Sequence, residues 1–150
     1  MSLSLPADFG YVLAIGAGLY VLQQWVLTGA VVLPARRRSG IKAPTLYPTD
    51  AQARELKLTP EQLNEYMNAQ RAHQNQVEFS SAFLPLYYAI GLVQPRKTAV
   101  AGASILFFRT IGSLAYGGLL PISRRWGGLY HLGEAYLVYL AFRVSVDMIR

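Results

Sequence analysis

At 150 residues, with 53% hydrophobic residues and a formal net charge of +6, the chain has the length of one domain and a more apolar composition than soluble domains of that size. Cysteine is absent, which excludes disulfides, thiolate metal sites and a cysteine nucleophile, so any thiol chemistry must use a thiol brought by a ligand. The positive charge does not read as a nucleic-acid surface, because Lys and Arg gather between apolar blocks instead of lining one polar face or motif.

In chain order, the first element is a span at about Asp8 to Leu33. No residue from Phe9 to Leu33 is charged, and about 20 apolar residues suffice to cross about 30 Å of hydrocarbon. It is expected to be retained, since Met1 to Asp8 carries no positive charge and the apolar run is too long for a signal segment. Pro34 and the run Arg36, Arg37, Arg38 are expected to close it. The segment from there to Thr59, with Lys42, Pro44, Pro48, Arg54 and Lys57, reads as an exposed loop.

Thr59-Pro60-Glu61-Gln62 reads as a helix start, with Thr59 as N-cap, Pro60 at the first helical position and Gln62 completing a capping box. A helix starting there begins in water, ahead of a second span at about Asn68 to Val93. Gln94 to Lys97 is a short turn, so a third span at about Thr98 to Leu120 should lie antiparallel to the second. A fourth span is expected at about Gly127 to Ile149. The first and third loops hold Arg36, Arg37, Arg38, Lys42, Arg54, Lys57, Arg124 and Arg125, against Arg96 and Lys97 in the second, which places loops one and three in the cytoplasm. The expected fold is all-α, an integral membrane four-helix bundle forming a single domain over residues 1–150.

Ionisable groups at membrane depth cost about 2.5 to 3.5 kcal/mol each on insertion scales and usually face a bundle interior or a wet cavity. Arg71, Glu78, Arg109, Glu134, Arg143 and Asp147 fall in this class. Arg71, Asn75 and Glu78 are spaced i, i+4, i+7, within about 60° of one another around a helix and over roughly 10 Å of its axis. A cation, an amide and an anion in that order suit an extended zwitterionic tripeptide of about the same length. The competing reading is interhelical glue, with Arg71 paired to a Glu on another helix. Arg109, Ser113 and Tyr116 repeat the spacing on the third helix, with Arg109 expected to neutralise Glu78 or Glu134. Arg124 and Arg125 read first as positive flank at the cytoplasmic mouth. His73 lies far around its helix from Arg71 and His131 is solitary, so no metal is expected.

The block Gln70-Arg71-Ala72-His73-Gln74-Asn75-Gln76-Val77-Glu78-Phe79 resembles the MAPEG family, the membrane-associated proteins of eicosanoid and glutathione metabolism. Asp8-Phe9-Gly10-Tyr11-Val12-Leu13 and Tyr47-Pro48-Thr49-Asp50 look most like its type three microsomal glutathione S-transferase branch. The resemblance implies a homotrimer of four-helix subunits, with glutathione held between neighbours near the cytoplasmic face and a lipophilic substrate entering from the bilayer. Carried over, it makes Arg71, His73, Asn75, Glu78 and Tyr116 glutathione-binding positions, makes Arg124 or Arg125 the arginine that stabilises the thiolate, and sets Arg36 and Arg37 near the lipid substrate. Phe79 and Gly112 depart from the pattern, standing where relatives carry tyrosine, and Pro85 falls later in its helix than the family's usual proline.

The expectation is therefore a glutathione transferase or glutathione-dependent lipid peroxidase of the endoplasmic-reticulum membrane, with the outer mitochondrial membrane as the alternative compartment. Glutathione is the cosubstrate and membrane lipid the surrounding partner. The competing function is a non-catalytic lipid-binding scaffold of the five-lipoxygenase-activating type.

Overall fold

The structure, a computed structural model, describes residues 4–150. The first helix, α1, runs from Phe9 to Ser39. Two of its turns, Ala14–Leu19 and Leu27–Val32, widen to π geometry. Pro34 does not end it, contrary to expectation. Proline removes one backbone donor and crowds the carbonyl four residues back, but the π turn just ahead has already shifted the hydrogen-bond register there. The helix stops instead at Gly40, whose left-handed backbone (φ 69°) suits a residue without a Cβ.

The supposed exposed loop contains a short helix, α2, at Asp50–Glu55, capped by a reciprocal pair between Thr49 and Gln52. Helix α3 then runs unbroken over Pro60–Gly91, through Pro85. Its start matches the expected box: the Gln62 N–H donates to Thr59 Oγ1 at 3.3 Å and the Thr59 N–H to Gln62 Oε1 at 3.0 Å. After a three-residue turn, α4 occupies Pro95–Tyr116. It ends short of Leu120, at Gly117 and the positive-φ Gly118. The next element is a 3-10 turn at Arg124–Leu129, and α5 follows at Tyr130–Ile149, so the last regular helix starts three residues later than expected.

Two apolar clusters join these helices. Phe9 and Val12 of α1 pack with Phe83, Tyr87 and Ile90 of α3, Ile105 and Leu106 of α4, and Leu137 and Leu140 of α5. At that end Arg96 pairs with Asp8 at 2.8 Å. Toward the other end Leu27, Val31 and Ala35 enclose Tyr66 and Ala69 of α3 together with Ile41. Arg36 fastens the loop above this cluster, donating to the carbonyls of Ile41 and Thr45 at 3.3 and 3.0 Å. Tyr66 donates to the Thr45 carbonyl at 2.9 Å, and burial raises its hydroxyl above the usual tyrosine range, which keeps it a donor.

Two helices, α1 and α4, are long and apolar enough to cross a membrane by length and composition. Of the four expected spans, α3 and α5 do not reach that apolarity. Helix α3 carries its polar run from Asn68 to Glu78, and α5 carries Glu134, Arg143 and Asp147.

Candidate functional site

The site grows from a polar network between α3 and α4. Gln76 is almost wholly buried, and its amide nitrogen donates to Ser113 Oγ at 2.6 Å. Its amide oxygen accepts from Arg109 Nε at 2.9 Å, and Arg109 Nη2 donates to the Asn75 carbonyl at 2.9 Å. The Arg109 guanidinium lies 3.8 Å from the Phe79 ring centroid and 4.5 Å from that of Tyr130. Cation–π attraction from the two rings offsets part of the cost of burying the charge. Contrary to expectation, Arg109 makes no direct ion pair with Glu78 or Glu134: Glu134 acts on it only from beyond ion-pair distance and is bonded to His131 at 2.7 Å, while Glu78 pairs with Arg71.

Above this network opens a cavity of about 470 Å³. Asn75, Glu78 and Phe79 line it from α3, Arg109, Ser113 and Tyr116 from α4, Arg124 from the 3-10 turn and Tyr130 from α5. Arg124 lies over the Tyr116 ring at 5.3 Å. The turn comes this close because Gly112 and Gly127 touch backbone to backbone: a Cβ on Gly112 would stand 2.8 Å from the Gly127 Cα. The space beside Gly112 is thus filled by the turn itself.

The residues singled out from the sequence divide into two groups. Asn75, Glu78, Tyr116 and Arg124 share the cavity. Arg71 lies outside it, on the exposed face of α3, where it pairs with Glu78 at 3.1 Å. Its partner is thus on its own helix, not on another. Gln74 holds the same Glu78 oxygen at 3.0 Å and is itself bonded by Tyr47 from the loop above. His73 is half-buried and does not line the cavity. Arg125 is exposed, its backbone N–H bonded to Ser123 Oγ. Arg36 is committed to the loop and Arg37 is exposed. Gln76 and Tyr130, which carry no charge and no motif of their own, are the site residues that spacing alone did not reveal.

Chemically the cavity offers one carboxylate, already paired, and two guanidiniums, Arg109 and Arg124, that have no carboxylate within ion-pair distance among the described residues. It is arranged for an anionic guest. In comparison with known proteins, the MAPEG family profile matches residues 11–144. No solved structure matches the chain.

Proposed function

The chain belongs to the MAPEG family, and on that premise we propose that it is a membrane-bound glutathione transferase or glutathione-dependent lipid peroxidase, nearest in kind to the type three microsomal transferases. Its substrates are lipophilic electrophiles or lipid hydroperoxides, and its membrane is that of the endoplasmic reticulum. The family includes glutathione transferases, peroxidases and non-catalytic scaffolds, so the reading turns on the site. The observation that supports catalysis is the meeting of Asn75 and Glu78 with Tyr116 and Arg124 around one cavity, in a chain that has no thiol of its own.

A free thiol with a pKa near 8.5 is only a few per cent thiolate at pH 7, and the thiolate is the nucleophile. A guanidinium beside the sulfur favours the anion, and about 1.4 kcal/mol of such attraction raises the thiolate-to-thiol ratio tenfold. Arginine cannot accept a proton at neutral pH, so Arg124 acts electrostatically while water or substrate takes the proton. Glu78 suits the ammonium of a tripeptide and Asn75 its amides. With a hydroperoxide, the thiolate sulfur takes the distal oxygen as the O–O bond breaks. The alcohol leaves with one proton, and a second glutathione reduces the sulfenic acid, releasing the disulfide and water.

The test is ultraviolet absorption of bound glutathione thiolate as pH is varied. Arg124→Ala is expected to raise the pKa of the bound thiol and lower turnover while glutathione still binds. Unchanged thiolate formation in Arg124→Ala, Arg125→Ala and the double variant would refute arginine activation. Absence of thiolate in the native protein would favour the scaffold reading.

A further inference from the structure

Arg109 is the only ionised side chain among the described residues that is buried, at 8% exposed. Its hydrogen-bond acceptors, Gln76 Oε1 and the Asn75 carbonyl, are both neutral. The two flanking rings, Phe79 and Tyr130, temper its charge without cancelling it. No carboxylate lies within ion-pair distance of Arg109 among the described residues, and Glu134, which acts on it from farther off, is bonded to His131. A buried charge without a close counter-ion is costly, and this one faces a cavity instead of closed protein. The cavity's single carboxylate, Glu78, is engaged by Arg71 and Gln74.

Position adds to the argument. Arg124 sits at Tyr116, and seven residues of α4 separate Tyr116 from Arg109, roughly 10 Å of helix axis. The two guanidiniums therefore stand well apart along the cavity, Arg124 exposed beside Tyr116 and Arg109 buried between the Phe79 and Tyr130 rings. An anion that reaches Arg109 is desolvated, and an arginine fork matches a carboxylate in shape as well as charge.

We infer that Arg109 is the inner anchor of the cavity and binds a ligand carboxylate, the close counter-ion that the described residues do not place within ion-pair distance. Two sources share this chemistry: a carboxylate of glutathione, which rests on the proposed function, and the carboxylate of a fatty acid, which does not. Gln76 provides an internal control. Gln76→Glu places a carboxylate on Arg109 Nε at almost unchanged volume, and Ser113 can turn its hydroxyl to donate, so the variant supplies the missing counter-ion from within.

The experiment compares binding of each acid with its neutral counterpart, glutathione against its diethyl ester and oleate against oleyl alcohol. It uses the full chain in detergent, as the native protein, Arg109→Met and Gln76→Glu, each checked for fold by circular dichroism. The native protein is expected to prefer the acid in at least one pair by about tenfold or more, and both variants to lose that preference. The pair affected identifies the source. A native protein that ignores glutathione but prefers oleate would remove the transferase reading and leave Arg109 standing. No preference in either pair, or a preference that survives in folded Gln76→Glu, would overturn the inference.

Discussion

At the scale of single residues, the contact between Gly112 and Gly127 decides where Arg124 can be. A Cβ on either glycine meets backbone of the other, and backbone cannot step aside as a side chain can. Gly112→Ala must therefore lift the 3-10 turn from α4 and carry Arg124 away from Tyr116. Overpacking of this kind costs about 1 to 3 kcal/mol. Thermal unfolding should show the loss, and glutathione turnover should fall further than stability alone explains. A variant with native stability and turnover would mean the turn is free to move. Part of this site was legible beforehand: the i, i+4, i+7 spacing of Arg71, Asn75 and Glu78 and of Arg109, Ser113 and Tyr116 marked two stripes, and all of these residues except Arg71 line one cavity, although α3 is bonded to α4 through Gln76 rather than along the first stripe. The environment of Arg109 was not legible. A rule that pairs opposite charges looks for Glu78 or Glu134, whereas the structure surrounds Arg109 with a glutamine, a carbonyl and two rings from different helices. Such contacts depend on tertiary packing and leave no local pattern.

At the scale of elements, the start of α3 illustrates what local sequence does encode. Its capping box satisfies donors that an open helix end leaves orphaned, and Thr59→Ala is expected to cost about 1 kcal/mol. Glu61 in the same turn is held below its ordinary value of 4.5 by its own backbone N–H and then by the Thr59 hydroxyl. A depressed carboxylate contributes stability above its unfolded pKa and loses it as pH falls through the lower folded value. Thermal unfolding from neutral pH to well below 4.5 should therefore show an acid-side loss that Thr59→Ala diminishes. Equal acid sensitivity in both proteins would assign the loss to other carboxylates. The same box at Thr49 and Gln52 begins α2, a signal present in the sequence but obscured by the prolines and charges around it. The π turns of α1 had no such signal. They arise within an unbroken apolar run, and they allow the helix to pass Pro34 where composition indicated an end.

At the scale of the whole molecule, the face of α3 that bears Arg71 and Glu78 is largely open, with Tyr47 reaching it at Gln74 and the cavity beside Glu78. The two side chains are 46% and 52% exposed, and the adjacent Val77 is open as well. If α3 crosses the bilayer, as the sequence leads one to expect of residues 68–93, this face cannot rest against lipid, because each exposed charge at depth costs about 2.5 to 3.5 kcal/mol. Arg71 and Glu78 neutralise each other, yet their remaining donors and acceptors still need polar partners. A second copy of the chain is the economical cover: it removes the polar face from lipid and closes the open side of a cavity that Glu78 already borders. The trimer implied by resemblance to the family meets this requirement, since each α3 face then has a neighbour and no copy is left with an uncovered edge. The expected outcome is a trimer by light scattering in mild detergent, with cross-links formed between cysteines introduced at Gln74 and on the facing surface. Arg71→Ala should weaken both assembly and glutathione binding, since the same face serves each. A monomer that binds glutathione with full affinity would show that α3 needs no partner and that Arg71 and Glu78 only hold each other.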